Sequence, residues 1–528
     1  MADEKEKKKS AARTFGIKAA KNTLTYTVST VVSSAITLVL LIVLAMLLKP
    51  ADFGIYAIAI AFYTILSVGG HFGMGTALRK ELPSILDDKE KIARFISNGY
   101  VVALLVAFVI SIVAMAFSSA IAVYVYHDPG LSNTLALAAL LVLGYALFNL
   151  TLATLVALGK VVAGSAIDLV YSIVQLIATV ALVLLGYGVF GAIVGLGISL
   201  IVPSILGIFI ISKHIEGRFV KPDIKTIKRL MGFSAPIVAS NVSMQVPPNL
   251  AILLLGVYTT ASLVGNYNAA FKFGNFVSVF LIANGFMLLP EFAKVFSNKD
   301  LKSKVGRIYN GSVYYTLLIL LPVLIYVMST AQPLIYLLFS SIYSSAPFFF
   351  IVIVFGSGLA IISTYAGNLI IGYGDTKRFM LYQVAAVALQ IVLLFALTPF
   401  LHADGVLLAL FIISPIIIDV MYINALYKQF SFRHEFGQLL RVLVPAVLLF
   451  VLLYFAASYM HQSQWSLITN LAGTILLYPP LLVLFGGIKR ENIGLIRDIS
   501  KSLRTGWLAE YPIRYVEIFL NAKSGKSL

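Results

Sequence analysis

The sequence contains no cysteine, and this absence excludes several kinds of chemistry. Disulfide bridges, thiolate metal sites and cysteine nucleophiles all need that residue. Familiar enzyme motifs are also missing: the sequence has no HExxH pair, Walker A loop, nucleophile elbow or dinucleotide fingerprint. We therefore predict no bound metal, no cofactor and no enzymatic activity.

Charge is also scarce. Only 12% of the 528 residues are charged, 60% are hydrophobic, and the mean hydropathy is +0.96. A soluble globular protein carries about 25% charged residues, so the composition predicts a protein that lies in lipid. The formal net charge is +17, but its positive charges sit in short loops between apolar runs. This placement predicts anionic lipid headgroups at the cytoplasmic face as the partner, and no nucleic acid.

Long apolar runs make up most of the chain. A helix that crosses a bilayer needs about 20 apolar residues, and by that rule the sequence predicts about 14 transmembrane helices. All but two of the 39 Lys and Arg residues then fall on one side, the exceptions being Lys49 and Lys272. Basic loops stay in the cytoplasm, so we predict a multi-pass protein of the cytoplasmic membrane with both termini cytoplasmic.

Two segments of the sequence resemble each other. Gly54 and Tyr56 in DFGIYAIAIAFY are matched by Gly265 and Tyr267 in LVGNYNAAFKFG. Such a match predicts two six-helix lobes in a parallel pseudo-repeat, followed by a C-terminal helix pair, in an all-α polytopic fold. The predicted parts are a basic arm (1–22), the first lobe (23–213), a basic linker (214–230), the second lobe (231–428), helices 13 and 14 (429–487), and a cytoplasmic tail (488–528). The tail has the pattern of an interfacial helix, and a solvated tail is the alternative.

One lysine lies deep inside a predicted span. An ionisable side chain there costs about 2.5–3.5 kcal/mol on the insertion scale, so Lys272 calls for an explanation. Asn268 and Asn275 lie four residues before it and three after it, which places all three on one helical face. We predict that this face lines a wet cavity and contacts a phosphate. A structural ion pair with Asp168 or Asp419 is the alternative.

Other candidate residues are less specific. Asp168 and Asp419 lie inside spans and are candidates for binding a coupling ion, or for structural pairing. Asn241 and Gln245 precede Pro247 and Pro248 in the seventh span, where a double proline is expected to kink or break the helix beside a cavity, as in a gate. Arg79, at the inner end of the second span, is a candidate for capturing an anionic headgroup, although plain positive-inside anchoring is the favoured explanation for it.

Three segments carry a resemblance to a known family. LLKPADFGIYAIAIAF, GMGTALRKELP and LLPEFAKV resemble the polysaccharide (lipid-linked oligosaccharide) flippases of the multidrug/oligosaccharidyl-lipid/polysaccharide exporter superfamily. The resemblance implies two six-helix bundles around a cationic cavity that opens alternately to each side. It also implies a polyprenyl-(di)phosphate-linked oligosaccharide as substrate, moved from the cytoplasmic to the outer leaflet. The sequence departs from the more cationic relatives, because Lys272 is the only basic residue clearly within the core.

The leading hypothesis is therefore such a flippase, acting as a monomer and working with glycan assembly enzymes. The alternative within the superfamily is a cation-coupled drug or metabolite antiporter that uses Asp168 or Asp419. A membrane glycan enzyme is disfavoured, because the predicted external loops are short and nearly uncharged. A scaffold of a glycan assembly complex would show no transport of its own and would tolerate loss of Lys272.

Overall fold

The computed structural model describes residues 2–70, 73–215, 220–287, 292, 294–296, 304–432, 434–460, 463–490, 492–494, 497 and 506–523. Regular structure in these residues is helical, and no β-strand occurs among them. The prediction of an all-α fold is therefore confirmed for the described part of the chain.

Contacts within the chain divide it into two compact units, Met1–Asn268 and Ala269–Leu528. This division falls inside a helix, whereas the sequence places the boundary between its two lobes in the linker 214–230. The predicted lobes follow from the internal repeat rather than from contacts, so their boundaries remain a prediction.

The first unit consists of helices that pack side by side. In chain order they are α1 (Ala2–Gly70), α2 (Met74–Glu81), a 3-10 turn (Leu82–Ser84), α3 (Lys89–Ala120), α4 (Leu131–Ala157), α5 (Val161–Leu182), α6 (Gly188–His214), α7 (Ile224–Tyr258) and the first turns of α8 (Ala261–Met287). Short π-helical turns follow α3 and α5. Side-chain caps fix two of the starts: Asp88 accepts a hydrogen bond from the Lys91 amide before α3, and Asp223 caps α7.

The linker before α7 is tied to the N-terminal part of α3. The backbone amides of Val220 and Asp223 donate hydrogen bonds to the side chains of Ser97 (3.1 Å) and Asn98 (2.7 Å). Arg229, in the first turns of α7, forms an ion pair with Glu81 of α2. These contacts explain why α7 belongs to the first unit in space, although the repeat places it at the start of the second lobe.

In its described residues, the second unit contains the rest of α8 and nine further helices of nine residues or more. They are α9 (Val305–Ser329), α10 (Ala331–Phe339), α11 (Ala346–Leu359), α12 (Ile361–Tyr373), α13 (Thr376–Leu407), α14 (Ser414–Phe430), α15 (Phe436–Tyr459), α16 (Trp465–Leu484) and α17 (Gly506–Lys523). A π-helical turn joins α13 to α14.

By length and composition, nine helical stretches of the described residues are long and apolar enough to cross a membrane. Three of them, Lys21–Gly70, Val161–His214 and Thr376–Phe430, have 50 or more residues, far above the roughly 20 that one crossing needs. Each contains a residue outside the helical region, at Lys49, Gly186 and His402 respectively. The chain is therefore a multi-pass membrane protein, while the count of fourteen spans remains a prediction.

The described part of the C-terminal tail includes a helix that docks on a membrane helix. The Tyr515 hydroxyl of α17 donates a 3.0 Å hydrogen bond to the Leu476 carbonyl of α16. In an uninterrupted helix that carbonyl would accept from the amide of residue 480, but Pro480 has none. Tyr515 thus satisfies a backbone acceptor that the proline leaves open, and this explains why the tail packs there.

Asn470 is expected to contribute strongly to the stability of the second unit. It is buried in α16, and its Nδ2 lies 3.1 Å from the Ser329 hydroxyl and 3.3 Å from the carbonyls of Ser329 and Leu453. Because Asn470→Leu leaves these buried acceptors without a donor, it should lower the free energy of unfolding by roughly 1–3 kcal/mol. Unfolding of the detergent-solubilised protein measures this, with the exposed neighbour Thr469→Leu as the matched control. Equal stability of the two variants would contradict the assignment.

His434 is expected to make stability depend on pH. It lies in the loop between α14 and α15, edge-on to the Tyr309 ring at 5.0 Å, and its Nε2 has no hydrogen-bond partner among the described residues. Burial lowers the pKa of His434 from 6.5 to about 4. The unfolded chain therefore binds this proton at a higher pH than the native protein does, and stability should fall as the pH drops from 6.5 towards 4. The melting temperatures measured at pH 7 and at pH 5 should differ less in His434→Phe than in the wild type. If the two proteins show the same difference, His434 is not the cause of the pH dependence.

Candidate functional site

The first unit encloses a cavity of about 390 Å³. Four helices form it: the second half of α1, then α2, α4 and α7. Its lining residues are Tyr63, Thr64, Ser67, Val68, Gly75, Thr76, Arg79, Tyr145, Asn149 and Gln245. Polar side chains predominate, and none of these lining residues is acidic. The cavity is therefore suited to an anionic or hydroxyl-rich ligand rather than to a cation.

The short helix α2 brings Arg79 to this cavity. Gly73 lies before α2 with φ of 67°, a left-handed conformation that favours glycine, and turns the chain after α1. Gly75 then approaches α4 so closely that an added Cβ would lie 2.7 Å from Oδ1 of Asn149 and 3.1 Å from Cβ of Ala153. This approach places the last turn of α2, with its exposed Arg79, at the edge of the cavity.

Two tyrosines form an aromatic wall of the cavity. The rings of Tyr63 and Tyr145 meet edge to face, with centroids 5.9 Å apart and an interplanar angle of 87°. The Tyr145 side chain also interacts with the Asn149 amide and with the charge of Arg79. Aromatic surface, hydroxyl and amide groups therefore stand beside a single guanidinium, a combination that can bind a phosphate and an adjoining polar group together.

Two of the residues predicted from the sequence, Arg79 and Gln245, meet in this cavity. Sequence reasoning missed Tyr63, Tyr145 and Asn149. Asn149 gave a usable signal, since it is an amide in an otherwise apolar span with Tyr145 one helical turn before it. Asn241 lies in α7, one turn before Gln245, but its side chain falls outside the described residues.

The double proline of the seventh span does not interrupt the helix. Pro247 is buried and Pro248 half-buried, and α7 continues from Ile224 through both to Tyr258. The helix is therefore not broken at Pro247 and Pro248, and the kink and gating role predicted for them remain predictions. The Asn249 side chain donates a 2.7 Å hydrogen bond to the Gln245 carbonyl, one turn before it on the same helix.

The predicted face on α8 divides in two. Lys272 and Asn275 are exposed, whereas Asn268 is buried. Phe273 stacks on Phe350 at 5.1 Å, and Gly274 packs so tightly that a Cβ there would lie 2.8 Å from Cγ2 of Ile353. Lys272 and Asn275 therefore share the side of α8 that this packing within the second unit leaves open. Within the described residues no carboxylate pairs with Lys272.

Asp168 has a structural partner in the first unit. The Ser33 hydroxyl of α1 donates a 3.0 Å hydrogen bond to Oδ2 of Asp168 on α5. One turn earlier on each helix, the buried Ser29 hydroxyl donates to the Ser165 carbonyl, also at 3.0 Å. The two bonds join α1 to α5 and give Asp168 a role in helix packing.

Asp419 also has a structural partner. It is buried in α14, and its Oδ1 accepts a 2.9 Å hydrogen bond from the backbone amide of Ser363. Ser363 lies in the first turn of α12, whose N-cap residue, Ala360, has no side chain that could accept a bond. Asp419 therefore caps α12 from a neighbouring helix. The contact does not test the hypothesis that Asp419 binds a coupling ion, which remains a prediction.

These features define the chain as an all-α, multi-pass membrane protein with a polar, cation-bearing cavity in its first unit. The sequence model of the family described as "Polysaccharide biosynthesis protein" matches residues 43–347, more than half of the chain. The chain therefore belongs to the polysaccharide biosynthesis protein family.

Solved structures share its fold. Lipid II flippase MurJ, in an inward closed conformation, superposes with a TM-score of 0.69 at 16% identity, covering 90% of this chain and 99% of that one. A multidrug resistance MATE family transporter of the MOP superfamily, in an inward-facing conformation, gives a TM-score of 0.61 at 14% identity, covering 76% and 94%. No curated protein matches the sequence. The fold class and the family resemblance predicted from the sequence are thus confirmed, and these two proteins that share the fold are a flippase and a transporter rather than enzymes.

Proposed function

We propose that this protein is a flippase that moves a polyprenyl-(di)phosphate-linked oligosaccharide from the cytoplasmic to the outer leaflet by alternating access. Three observations support the proposal: membership of a polysaccharide biosynthesis family, the fold shared with a lipid II flippase, and the chemistry of the cavity. The cavity is the observation that carries it, because it is a feature of this chain's own side chains.

The cavity matches the polar part of such a lipid. A guanidinium binds phosphate through two parallel N–H donors, and Arg79 is the one cation among the lining residues that the structure describes. Tyr63, Tyr145, Asn149 and Gln245 offer the hydroxyl, amide and aromatic groups that hold a sugar's hydroxyls and apolar face. A cavity of this size falls in the ordinary range of small-ligand sites, about 300–1,000 Å³.

Lys272 and Asn275 provide a second polar surface in this proposal. Both are exposed on α8, and Lys272 has no acidic partner among the described residues. A lysine ammonium acts as a point charge on a flexible stem, so it can follow a phosphate that changes position. We assign Lys272 to the phosphate and Asn275 to the first sugars. Asn268 on α8 and Asn241 on α7 are further candidates for contacting the substrate.

The proposed orientation follows from charge. The end of the first unit that carries Arg79 and Lys80 also carries the basic linker, and basic loops stay in the cytoplasm. This orientation opens the cavity towards the leaflet where lipid-linked glycans are made, and places both termini in the cytoplasm. Anionic headgroups around the basic loops and glycan assembly enzymes are the proposed partners of a monomeric protein.

The direct test is leaflet exchange in liposomes. The purified protein is reconstituted with a fluorescent polyprenyl-diphosphate oligosaccharide, and a membrane-impermeant reductant bleaches the outer leaflet. We expect the protected fraction to disappear only in liposomes that contain the protein. A probe without its phosphate should stay in its leaflet. If the lipid is not flipped but a cationic dye is exported along an ion gradient in an Asp168- or Asp419-dependent way, the antiporter alternative replaces this proposal.

A further inference from the structure

The C-terminal tail contributes to a cavity of its own in the second unit. This tail cavity has a volume of about 400 Å³ and lies between the stretch that follows α16 and the last turns of α17. Its described lining residues are Arg490, Ile493, Gly494, Arg497, Glu517, Leu520 and Asn521. Two of these residues are cationic and one is acidic, so the described lining carries a net positive charge. The proposed transport function does not involve this cavity.

Polar contacts hold both arginines on the wall of the tail cavity. Nη2 of Arg490 donates a 2.6 Å hydrogen bond to Oδ1 of Asn521 on α17. Nη2 of Arg497 lies 3.1 and 3.2 Å from the two carboxylate oxygens of Glu517, also on α17. Both guanidinium groups are therefore positioned before a ligand arrives, which reduces the entropy lost on binding.

The stretch after α16 is fixed to a neighbouring helix. The Tyr314 hydroxyl of α9 donates a hydrogen bond to the Gly487 carbonyl. Next to it, the Tyr315 hydroxyl accepts a 2.9 Å hydrogen bond from Nδ2 of Asn492. Since α17 is in turn bonded to α16 through Tyr515, both walls of the tail cavity are attached to membrane helices. The cavity is therefore a formed site with a fixed place relative to the bilayer.

That place is at the end of a membrane helix. The 20 residues of α16 measure about 30 Å, which equals the thickness of the hydrocarbon core. Arg490 follows Leu484, the last residue of α16, by six positions, and the side chains of Leu484 and Phe485 are exposed. The tail cavity therefore lies at the level of lipid headgroups, whichever face of the membrane this end of α16 reaches.

The other wall of the tail cavity reaches towards the acyl chains. The Leu476 carbonyl that accepts from Tyr515 precedes the end of α16 by eight residues, about 12 Å along the axis. Helix α17 thus lies beside the last turns of α16, and its Ile518 side chain is exposed there. A helix with exposed apolar side chains at this depth lies in the boundary between headgroups and acyl chains.

We infer that the tail cavity binds the phosphate group of an anionic phospholipid. A guanidinium forms directed, charge-assisted hydrogen bonds with phosphate, and Arg490 and Arg497 both line the cavity. The Asn521 side chain adds an amide that can bond a phosphate or glycerol oxygen. A lipid is favoured over a soluble phosphate because α17 lies where the acyl chains of a bound lipid would begin. The inference does not rest on the proposed function.

The absence of cysteine allows a test at the site itself. Gly494→Cys places a single thiol on the lining, at a position where an added Cβ meets no atom of the described residues within 4 Å. The full-length protein is reconstituted in vesicles of phosphatidylcholine, or of phosphatidylcholine mixed with phosphatidylglycerol. The rate of reaction with N-ethylmaleimide, which is uncharged, is then measured. We expect phosphatidylglycerol to slow this reaction about tenfold, because the thiol reacts only while the site is empty.

Two matched controls use the neighbouring lysine. Lys489 is exposed, precedes Arg490 and does not line the cavity. A single thiol at Lys489→Cys meets the same surface charge, so phosphatidylglycerol should slow its reaction much less. In the Gly494→Cys background, Arg490→Gln should remove most of the protection, whereas Lys489→Gln should retain it. The comparison of the two lipids at Gly494→Cys needs no arginine variant, so it decides even if Arg490→Gln disturbs the tail.

Protection at residue 494 that is lost in Arg490→Gln and kept in Lys489→Gln supports the lipid site. No protection at residue 494 overturns it. Equal slowing at residues 489 and 494 also overturns it, because the lipid then acts on the whole surface rather than in the cavity. Inorganic phosphate added to phosphatidylcholine vesicles should give no protection. If it protects as well as phosphatidylglycerol does, the ligand is a soluble phosphate compound and the lipid assignment is wrong.

Discussion

Arg79→Ala is expected to lower the rate of lipid-linked oligosaccharide flipping by roughly 10- to 100-fold. Hydrogen bonds between charged groups contribute about 1.5–3 kcal/mol, and each 1.4 kcal/mol corresponds to a factor of about ten. Among the described residues that line the cavity Arg79 is the one cation, so these neighbours cannot replace the lost charge there. The liposome exchange assay measures the rate directly.

Two further variants give the experiment its controls. Lys80 is the next residue on the same turn of α2 and does not line the cavity, so Lys80→Ala should flip at close to the wild-type rate. Arg79→Lys keeps the charge but loses the bidentate geometry, and should recover only part of the activity. If Arg79→Ala and Lys80→Ala lower the flipping rate equally, the basic end of α2 acts only through its charge, as in positive-inside anchoring. Arg79 would then have no specific role in binding the phosphate.

Much of the fold could be predicted because the bilayer imposes simple rules on a sequence. A span must be long and apolar, and its basic flanks must stay on one side. The bends at Lys49 and Gly186 are harder to predict, since hydropathy does not change where a helix turns within an apolar run. The place of α7 in the first unit depends on contacts such as that of Arg229 with Glu81, which are distant in sequence and invisible to periodicity.

The candidate site was less predictable, for a related reason. Sequence reasoning searched for charges inside spans, and so gave most weight to Lys272, Asp168 and Asp419. The structure gives the two carboxylates packing partners, a serine hydroxyl and a backbone amide that needs a cap. Tyr63 and Tyr145 were missed because tyrosine hardly interrupts an apolar run, although its hydroxyl makes the cavity polar.

Lys272→Met is expected to reduce flipping about tenfold while leaving the protein at least as stable. A lysine inside a span costs about 2.5–3.5 kcal/mol on the insertion scale, and removal of one that pairs with no carboxylate in the described part of the chain relieves that cost. Breaking a buried ion pair would have the opposite effect on stability, a loss of about 3–5 kcal/mol. Flipping rate and melting temperature, measured on the same preparation, therefore separate a functional lysine from a structural one.

Lys49→Met is the matched control, because Lys49 is the other exception to the predicted charge asymmetry and is also exposed. It should change neither flipping nor stability appreciably. Lys272→Arg should keep most of the activity, since any cation on this face of α8 can attract a phosphate. If Lys272→Met instead unfolds at a lower temperature and flips normally, the charge serves the fold, and phosphate recognition then depends on Arg79 and the cavity of the first unit.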